Sequence, residues 1–315
     1  MRSFASLGTT RRGVLQMAGA TLVARPALAQ TNPSMSTPKT ARMNTRKIPA
    51  TGEQLPVVGV GTWQTFDVGA SPAERAPRAE VLKVLFEAGG SVIDSSPMYG
   101  RAEAVVGDLL AEAGTRAKAF LATKVWTHGR KEGIAQMEQS MKRLRTDKID
   151  LMQIHNLVDW ETHLPTLKAW KAEGRIRLMG ITHYTDSQHG TLEAVLQLGG
   201  FDFVQVNYSL DDRGAERRLL DFARYNGIAV MINQPFGGGD LLKKVSGRPL
   251  PAWAKDIGCT SWAQILLKFV LAHPAVTCVI PGTSKPEHMR DNVQAGFGPY
   301  PDRNLIDRMT NEIAT

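Results

Sequence analysis

Eight apolar runs of strand length, set apart by segments with a helical period, constrain this chain more than any other feature. They are "LPVVGVGTW" (55–63), "SVIDSS" (91–96), "AFLATKVW" (119–126), "IDLMQIH" (149–155), "IRLMGIT" (176–182), "FDFVQVNY" (201–208), "IAVMINQ" (228–234) and "TCVIPGT" (277–283). Between them lie stretches such as "RAEVLKVLFEAGG" and "GIAQMEQSMKRLR", whose apolar positions recur at three and four residues. Gly174 and Gly227 close helical segments just before the next run. The runs mostly lack the alternation of a half-exposed sheet, so both faces of each strand are covered, as in a parallel sheet clothed in helices. Eight such units predict an α/β fold of the (β/α)8 TIM-barrel type, a parallel eight-stranded barrel inside a ring of helices. A doubly wound sheet is disfavoured, because "GVGTW" continues into a loop and no Gly-x-Gly-x-x-Gly turn opens a helix.

The barrel does not need all 315 residues. Residues 1–29 read as a signal peptide. "TTRRGVLQMAGATLVARPALA" has paired Arg11 and Arg12, a weakly apolar run and Ala27-Leu28-Ala29 as a cleavage site. The Thr-Arg-Arg-Gly-Val-Leu order resembles a twin-arginine export signal, and Arg25 suits that route better than the general secretory one. Gln16, Gly19 and Thr21 interrupt the apolar run, which is too short to span a bilayer. Cleavage predicts a periplasmic or exported chain, with the export machinery as a partner and no membrane attachment afterwards. Residues 30–48 are polar with scattered proline and read as a flexible tail, leaving 49–315 for the barrel.

Loss of Arg2, Arg11, Arg12 and Arg25 lowers the net charge from +8 to +4. No dense basic stripe interleaved with aromatics occurs, so nucleic acid is not an expected partner, while an anionic ligand is compatible. Cys259 precedes a helix and Cys278 lies in an apolar run; both are expected as buried free thiols, and no Cys/His spacing suggests a metal site. A monomer is the expected state.

In a parallel barrel the site forms at the carboxyl ends of the strands. Run two closes on Asp94, with Tyr99 beyond; run three reaches Lys124, run four His155, run five Thr182 and His183, run six Gln205, and run seven Asn233 and Gln234. Taken singly, Lys124 fits a snorkelling surface lysine and His155 a core histidine. Together they project to one barrel mouth. A carboxylate ending a buried strand is costly unless something pairs with it, and the next strand ends in an ammonium.

Asp94, Tyr99, Lys124 and His155 resemble the catalytic tetrad of the aldo-keto reductases. The likeness extends through "GVGTWQ", the turn Asp94-Ser95-Ser96-Pro97-Met98-Tyr99-Gly100, "ATKVW", "QIHN", "GRIRLMGIT", "FVQVNYS" and "VIPGTSKPEHMRDN", in family order from about residue 50 to 297. It implies reduction of aldehydes or ketones by hydride transfer from NADPH, with Tyr99 as proton donor to the carbonyl oxygen. A free tyrosine titrates at about 10. Lys124 would favour the phenolate and lower that value, Asp94 would neutralise and orient Lys124, and His155 would hold the substrate carbonyl.

The resemblance also assigns a cofactor site. Thr182 and Gln205 match carboxamide contacts, with His183 where asparagine is common. Asn233 stands where many members stack a tyrosine on the nicotinamide, with Gln234 beside it and Phe236 as a substitute wall. Thr283, Ser284 and Lys285 match the adenosine-phosphate turn, where a helix start suits an anion, with Gly282 in the same turn where one large branch has lysine. His288 stands where arginine is frequent, and Asn292 matches an adenine contact. Lys285, His288 and Arg290 favour NADP(H) over NAD(H). Trp63 and Trp126 are expected as apolar substrate walls, and the glycine-rich stretch 234–251 as a mobile loop over the cofactor. Two readings follow: an exported reductase of small carbonyl compounds, or a nicotinamide-binding redox sensor or regulatory subunit with little turnover. A metal-dependent hydrolase has no ligand set at the strand ends.

Overall fold

The computed structural model describes residues 42–314; the segment read as a signal peptide and most of the tail lie outside them. A short antiparallel hairpin, β1 (Thr45–Lys47) and β2 (Gln54–Pro56), comes first. Eight strands then form one parallel sheet in sequential order: β3 (Val60–Gly61), β4 (Val92–Asp94), β5 (Phe120–Val125), β6 (Ile149–His155), β7 (Ile176–Thr182), β8 (Phe203–Asn207), β9 (Ala229–Asn233) and β10 (Val276–Val279). Parallel bridges Val58–Val279 and Gly61–Gly282 join the last strand to the first and close the barrel. The outer layer holds α1 (Pro72–Glu87), α2 (Ala102–Glu112), α3 (Arg130–Arg143), α4 (Trp160–Ala172), α5 (His189–Leu196) and α6 (Leu219–Tyr225). A short α7 (Asp240–Lys244) precedes α8 (Trp262–Ala272), and α9 (Pro286–Gln294) and α10 (Arg303–Ala314) complete the chain. This is the expected (β/α)8 fold.

Helix starts follow local chemistry. Ser71 accepts from the Glu74 backbone N–H and donates to the Glu74 carboxylate, with Pro72 opening α1. Ser261 caps α8 by accepting from the Gln264 backbone N–H. Gly174 and Gly227, both left-handed, turn the chain out of α4 and α6.

The first run is not one strand. Its opening residues belong to β2 of the hairpin, and only Val60–Gly61 enters the barrel sheet. The tail boundary moves with it. Met43 and Ile48 are buried, so the folded unit begins before residue 49. Ile48 and Leu55 pack with Phe120, Leu151, Leu178 and Phe203 and plug the amino end of the barrel. Arg46 fastens the hairpin by donating to the carbonyls of Leu271, His273 and Val276.

Two apolar clusters explain the missing alternation. Phe120, Ala122, Leu151, Leu178, Phe203, Ala229, Met231 and Cys278 fill the barrel, while Leu121, Met152, Met179, Val204 and Val230 face the helices. Every second residue does point inward, but both faces are apolar. The same inward phase, followed to the carboxyl ends, reaches Asp94, Lys124, Gln153, His155, Thr182, Gln205 and Asn233. Cys259 and Cys278 are buried and unbonded, and burial raises both thiols, Cys259 to about 11.

Candidate active site

The floor of the site is a buried charge pair. Asp94 Oδ2 accepts from Lys124 Nζ at 2.7 Å, and the ammonium also donates to the Ser95 carbonyl at 2.7 Å. Both side chains are sealed from water. The second carboxylate oxygen, Oδ1, accepts from Gln153 Nε2 at 3.1 Å and Gln205 Nε2 at 2.9 Å. Gly180, inward on β7 between them, leaves the room: a Cβ there would lie 3.2 Å from Gln153 Cγ. Burial alone would lower the Lys124 pKa, but the charges and hydrogen bonds of Asp94 and Tyr99 outweigh it and the net direction is up. Asp94 is thus satisfied on both oxygens, as a buried charge must be.

Tyr99 and His155 stand over this floor. The Lys124 ammonium lies 5.1 Å from the centre of the Tyr99 ring, and Tyr99 and His155 meet edge to face at 5.8 Å. Lys124 does favour the phenolate, but burial is the larger influence and the Tyr99 pKa moves up, not down. The value expected from the lysine alone is therefore corrected in direction: the partly buried ring has lost enough water to penalise its anion. His155 is pushed down to about 2, by burial first and then by Lys124 and His183, so the imidazole is neutral. Its Nδ1 lies 3.0 Å from Ser96 Oγ. Ser96 Oγ also accepts from the Met98 N–H, and with its hydroxyl proton donated to His155 Nδ1 the imidazole proton would sit on Nε2.

These groups open into a cleft of about 570 Å³ at the carboxyl end of the barrel. Asp94, Tyr99 and His155 line it, as do Thr182, Gln205, Asn233, Gln234 and Gly282 on the far side, and Trp63 and Trp126 at its edge. Lys124 lies behind Tyr99, outside the lining. The two tryptophans are 52% and 40% exposed, and Tyr184 in the same lining 49%, so these indoles are walls of a cleft and not core packing. Tyr184, which sequence reasoning passed over, stacks on His183 with centroids 5.4 Å apart.

Some expected contacts are placed differently. The Gln205 amide nitrogen is held at the floor by Asp94, so only its oxygen is left to face a ligand. His183 does not line the cleft; its Nδ1 accepts from the backbone of Tyr184 and Thr185. Thr283, Ser284, Lys285 and His288 lie beyond the cleft on the turn into α9 and its first turn, with Asn292 buried further along. Arg290 is paired with Glu80 of α1 at 2.9 Å, which weakens its part in binding a phosphate. Phe236 is buried and lines the cleft beside Asn233. In the glycine run Gly237, Gly238 and Gly239 have left-handed φ of 58°, 65° and 106°, and α7 follows with Leu241 buried.

The model of the aldo/keto reductase family matches residues 57–306. The chain belongs to that family. It is 32% identical over 250 residues to methylglyoxal reductase YeaE of Escherichia coli, covering 76% of this chain and 84% of that one. An NADH-specific methylglyoxal reductase of Escherichia coli is 27% identical over 316 residues, covering 79% and 93%. Among solved structures, an aldo-keto reductase from Klebsiella pneumoniae in complex with NADPH superposes with a TM-score of 0.73 at 25% identity, covering 86% of this chain and 95% of that one. In this reductase the floor pair, the tyrosine and the neutral histidine meet at the carboxyl end of the barrel. Gln153 and Ser96 were missed in the sequence. A glutamine in the otherwise apolar "LMQIH", one inward step before His155, was the available signal.

Proposed function

We propose that this aldo/keto reductase reduces small aldehydes or ketones with NADPH, and that Tyr99 supplies the proton. The observation that carries this is the neutral Tyr99–His155 pair above a charge-paired Lys124. The cofactor's fit rests on two orphaned groups: the side-chain oxygens of Asn156 and Asn233 are buried without a hydrogen-bond partner, and both residues line the cleft. A nicotinamide carboxamide, with two N–H donors, suits them. Thr182, Gln205, Asn156 and Asn233 would hold that end, Phe236 would flank the ring in place of the absent tyrosine, and Lys285 and His288 with the backbone at the start of α9 would hold the adenosine phosphate. When bound, the cofactor supplies the hydride.

The chain's own groups do the rest. Tyr99 donates its proton to the carbonyl oxygen as negative charge develops there. Its raised pKa keeps it protonated until that moment, and Lys124 then stabilises the phenolate left behind. Asp94 keeps Lys124 charged, and Gln153 and Gln205 hold Asp94 in place. His155, with Nδ1 accepting from Ser96, offers Nε2–H to the same carbonyl oxygen and orients it. Trp63 and Trp126 exclude water from the substrate side.

Export through the twin-arginine route belongs to the same reading, supported by Arg11-Arg12 and the Ala27-Leu28-Ala29 site; that route carries folded proteins, so the cofactor can be loaded first. Full-length protein in the native host tests it: a shortened chain in the periplasmic fraction supports it, and an uncut cytosolic chain refutes it. The activity is tested by following NADPH absorbance with methylglyoxal and with an aromatic aldehyde, and by identifying the alcohol. Stoichiometric alcohol supports the reductase. Tight NADPH binding with no alcohol would favour a nicotinamide sensor instead.

A further inference from the structure

Trp126 directly follows β5 with its indole 40% exposed, so packing alone does not hold it. Its backbone is held instead. Gln136, on the second turn of α3, accepts from Trp126 N–H at 2.6 Å and donates to the Trp126 carbonyl at 3.0 Å. His163, fully buried in α4, has Nε2 at 2.7 Å from the Thr127 carbonyl, so that nitrogen carries the proton and donates. Asp159 Oδ2 accepts from the Gly129 N–H at 2.7 Å. Side chains from two neighbouring helix starts thus make four hydrogen bonds to the backbone of residues 126–129.

The turn that carries Asp159 is strained. Asn156, Leu157 and Asp159 have φ of 53°, 60° and 47°, a left-handed backbone that costs a residue with a Cβ. This turn follows His155 directly, and Asn156 lines the cleft. Close approach is built in on the other side too: a Cβ on Gly133 would lie 2.4 Å from the His163 ring, so only glycine lets α3 come this near. His163 Nδ1 is left buried without a partner, an unfavourable group kept in place while Nε2 serves the Thr127 carbonyl. Strain and an orphaned nitrogen both point to a segment whose position matters more than its stability.

We infer that Gln136, Asp159 and His163 are positioning residues that fix the Trp126 wall and thereby set which carbonyl substrates fit. The inference rests on the reductase reading for its kinetic consequence, but the clamp itself is readable without turnover. Gln136 carries the clearest test, because it touches neither the carbonyl site nor the floor. Gln136→Met removes both hydrogen bonds at similar volume, and Gln136→Glu keeps the acceptor for the Trp126 N–H.

The expected result is a KM for an aromatic aldehyde raised about fivefold in Gln136→Met, the size of one ordinary hydrogen bond. The kcat is expected to stay within about twofold, methylglyoxal to be little affected, and Gln136→Glu to fall between. In a Trp126→Ala background Gln136→Met should change KM no further, since the wall it positions is gone. Independently of activity, acrylamide quenching of the fluorescence component lost in Trp126→Phe should rise in Gln136→Met. Equal KM shifts for both substrates, an undiminished effect in the Trp126→Ala background, or unchanged quenching would each overturn the inference. If the wild type turns over neither aldehyde, the reductase reading fails, and the quenching result alone decides the clamp.

Discussion

Replacing Asp94 by Asn keeps the shape of the floor and removes its negative charge. The Asn oxygen still accepts from Gln153 and Gln205, but its amide nitrogen faces the Lys124 ammonium, donor against donor. Two unit charges 2.7 Å apart attract by about 6 kcal/mol at an effective dielectric of about 20. Part of that attraction offsets the cost of desolvating both groups, so the loss on removing one partner is about 3–5 kcal/mol. For a domain of this size that is roughly 6–20 °C in Tm. Lys124→Met should cost a similar amount, by stranding Asp94. The double variant Asp94→Asn/Lys124→Met leaves no buried charge and should lose less than about 2 kcal/mol, giving a coupling of at least about 4 kcal/mol in the cycle. Urea unfolding followed by fluorescence and by far-ultraviolet circular dichroism measures all four proteins. Single variants that lose less than about 1 kcal/mol, or a double variant that loses the sum of the two, would refute the argument that the pair is an interdependent buried unit.

Two further outcomes follow from the same geometry. His155 titrates at about 2 in the folded chain against about 6.5 unfolded. The unfolded state therefore binds the extra proton between these values, and stability falls as pH falls below about 6.5, by at most about 1.4 kcal/mol per pH unit from this group. In His155→Gln that part of the slope should vanish, read as the difference between the two stability curves from about pH 7 to about pH 4.5. Lys285→Ala should raise the KM for NADPH by about 10- to 100-fold and leave that for NADH nearly unchanged, since one charge-assisted phosphate contact is worth about 1.5–3 kcal/mol; equal effects on the two coenzymes would remove Lys285 from the phosphate site.

The barrel and its four central residues were legible because each strand ends in a polar residue after a closed apolar run, and a buried acid calls for a partner. The inward phase that links those ends was hidden, because Phe120 and Leu121, or Leu151 and Met152, are equally apolar on opposite faces. The hairpin of β1 and β2 left no mark, since three-residue strands are too short for periodicity to show, and Ile48 looked like one apolar residue in a polar tail. The direction of the Tyr99 shift needed the third dimension: sequence supplied the neighbouring ammonium but not the depth of burial that outweighs it. Ser96 and Gln153 are ordinary residues until their partners are known, and the clamp on Trp126 joins residues up to 36 positions apart.

The central claim is that Tyr99 delivers the proton while the surrounding groups hold substrate and charge. Tyr99→Phe keeps the ring against His155 and above Lys124 and removes only the hydroxyl. Measured beside the wild type by NADPH loss with an aromatic aldehyde, the variant should lose about 10²–10⁴ in kcat/KM, with NADPH affinity by fluorescence titration changed less than about twofold. A Tyr99→Phe variant that reduces the aldehyde at a wild-type rate would place the proton donor elsewhere and contradict the account.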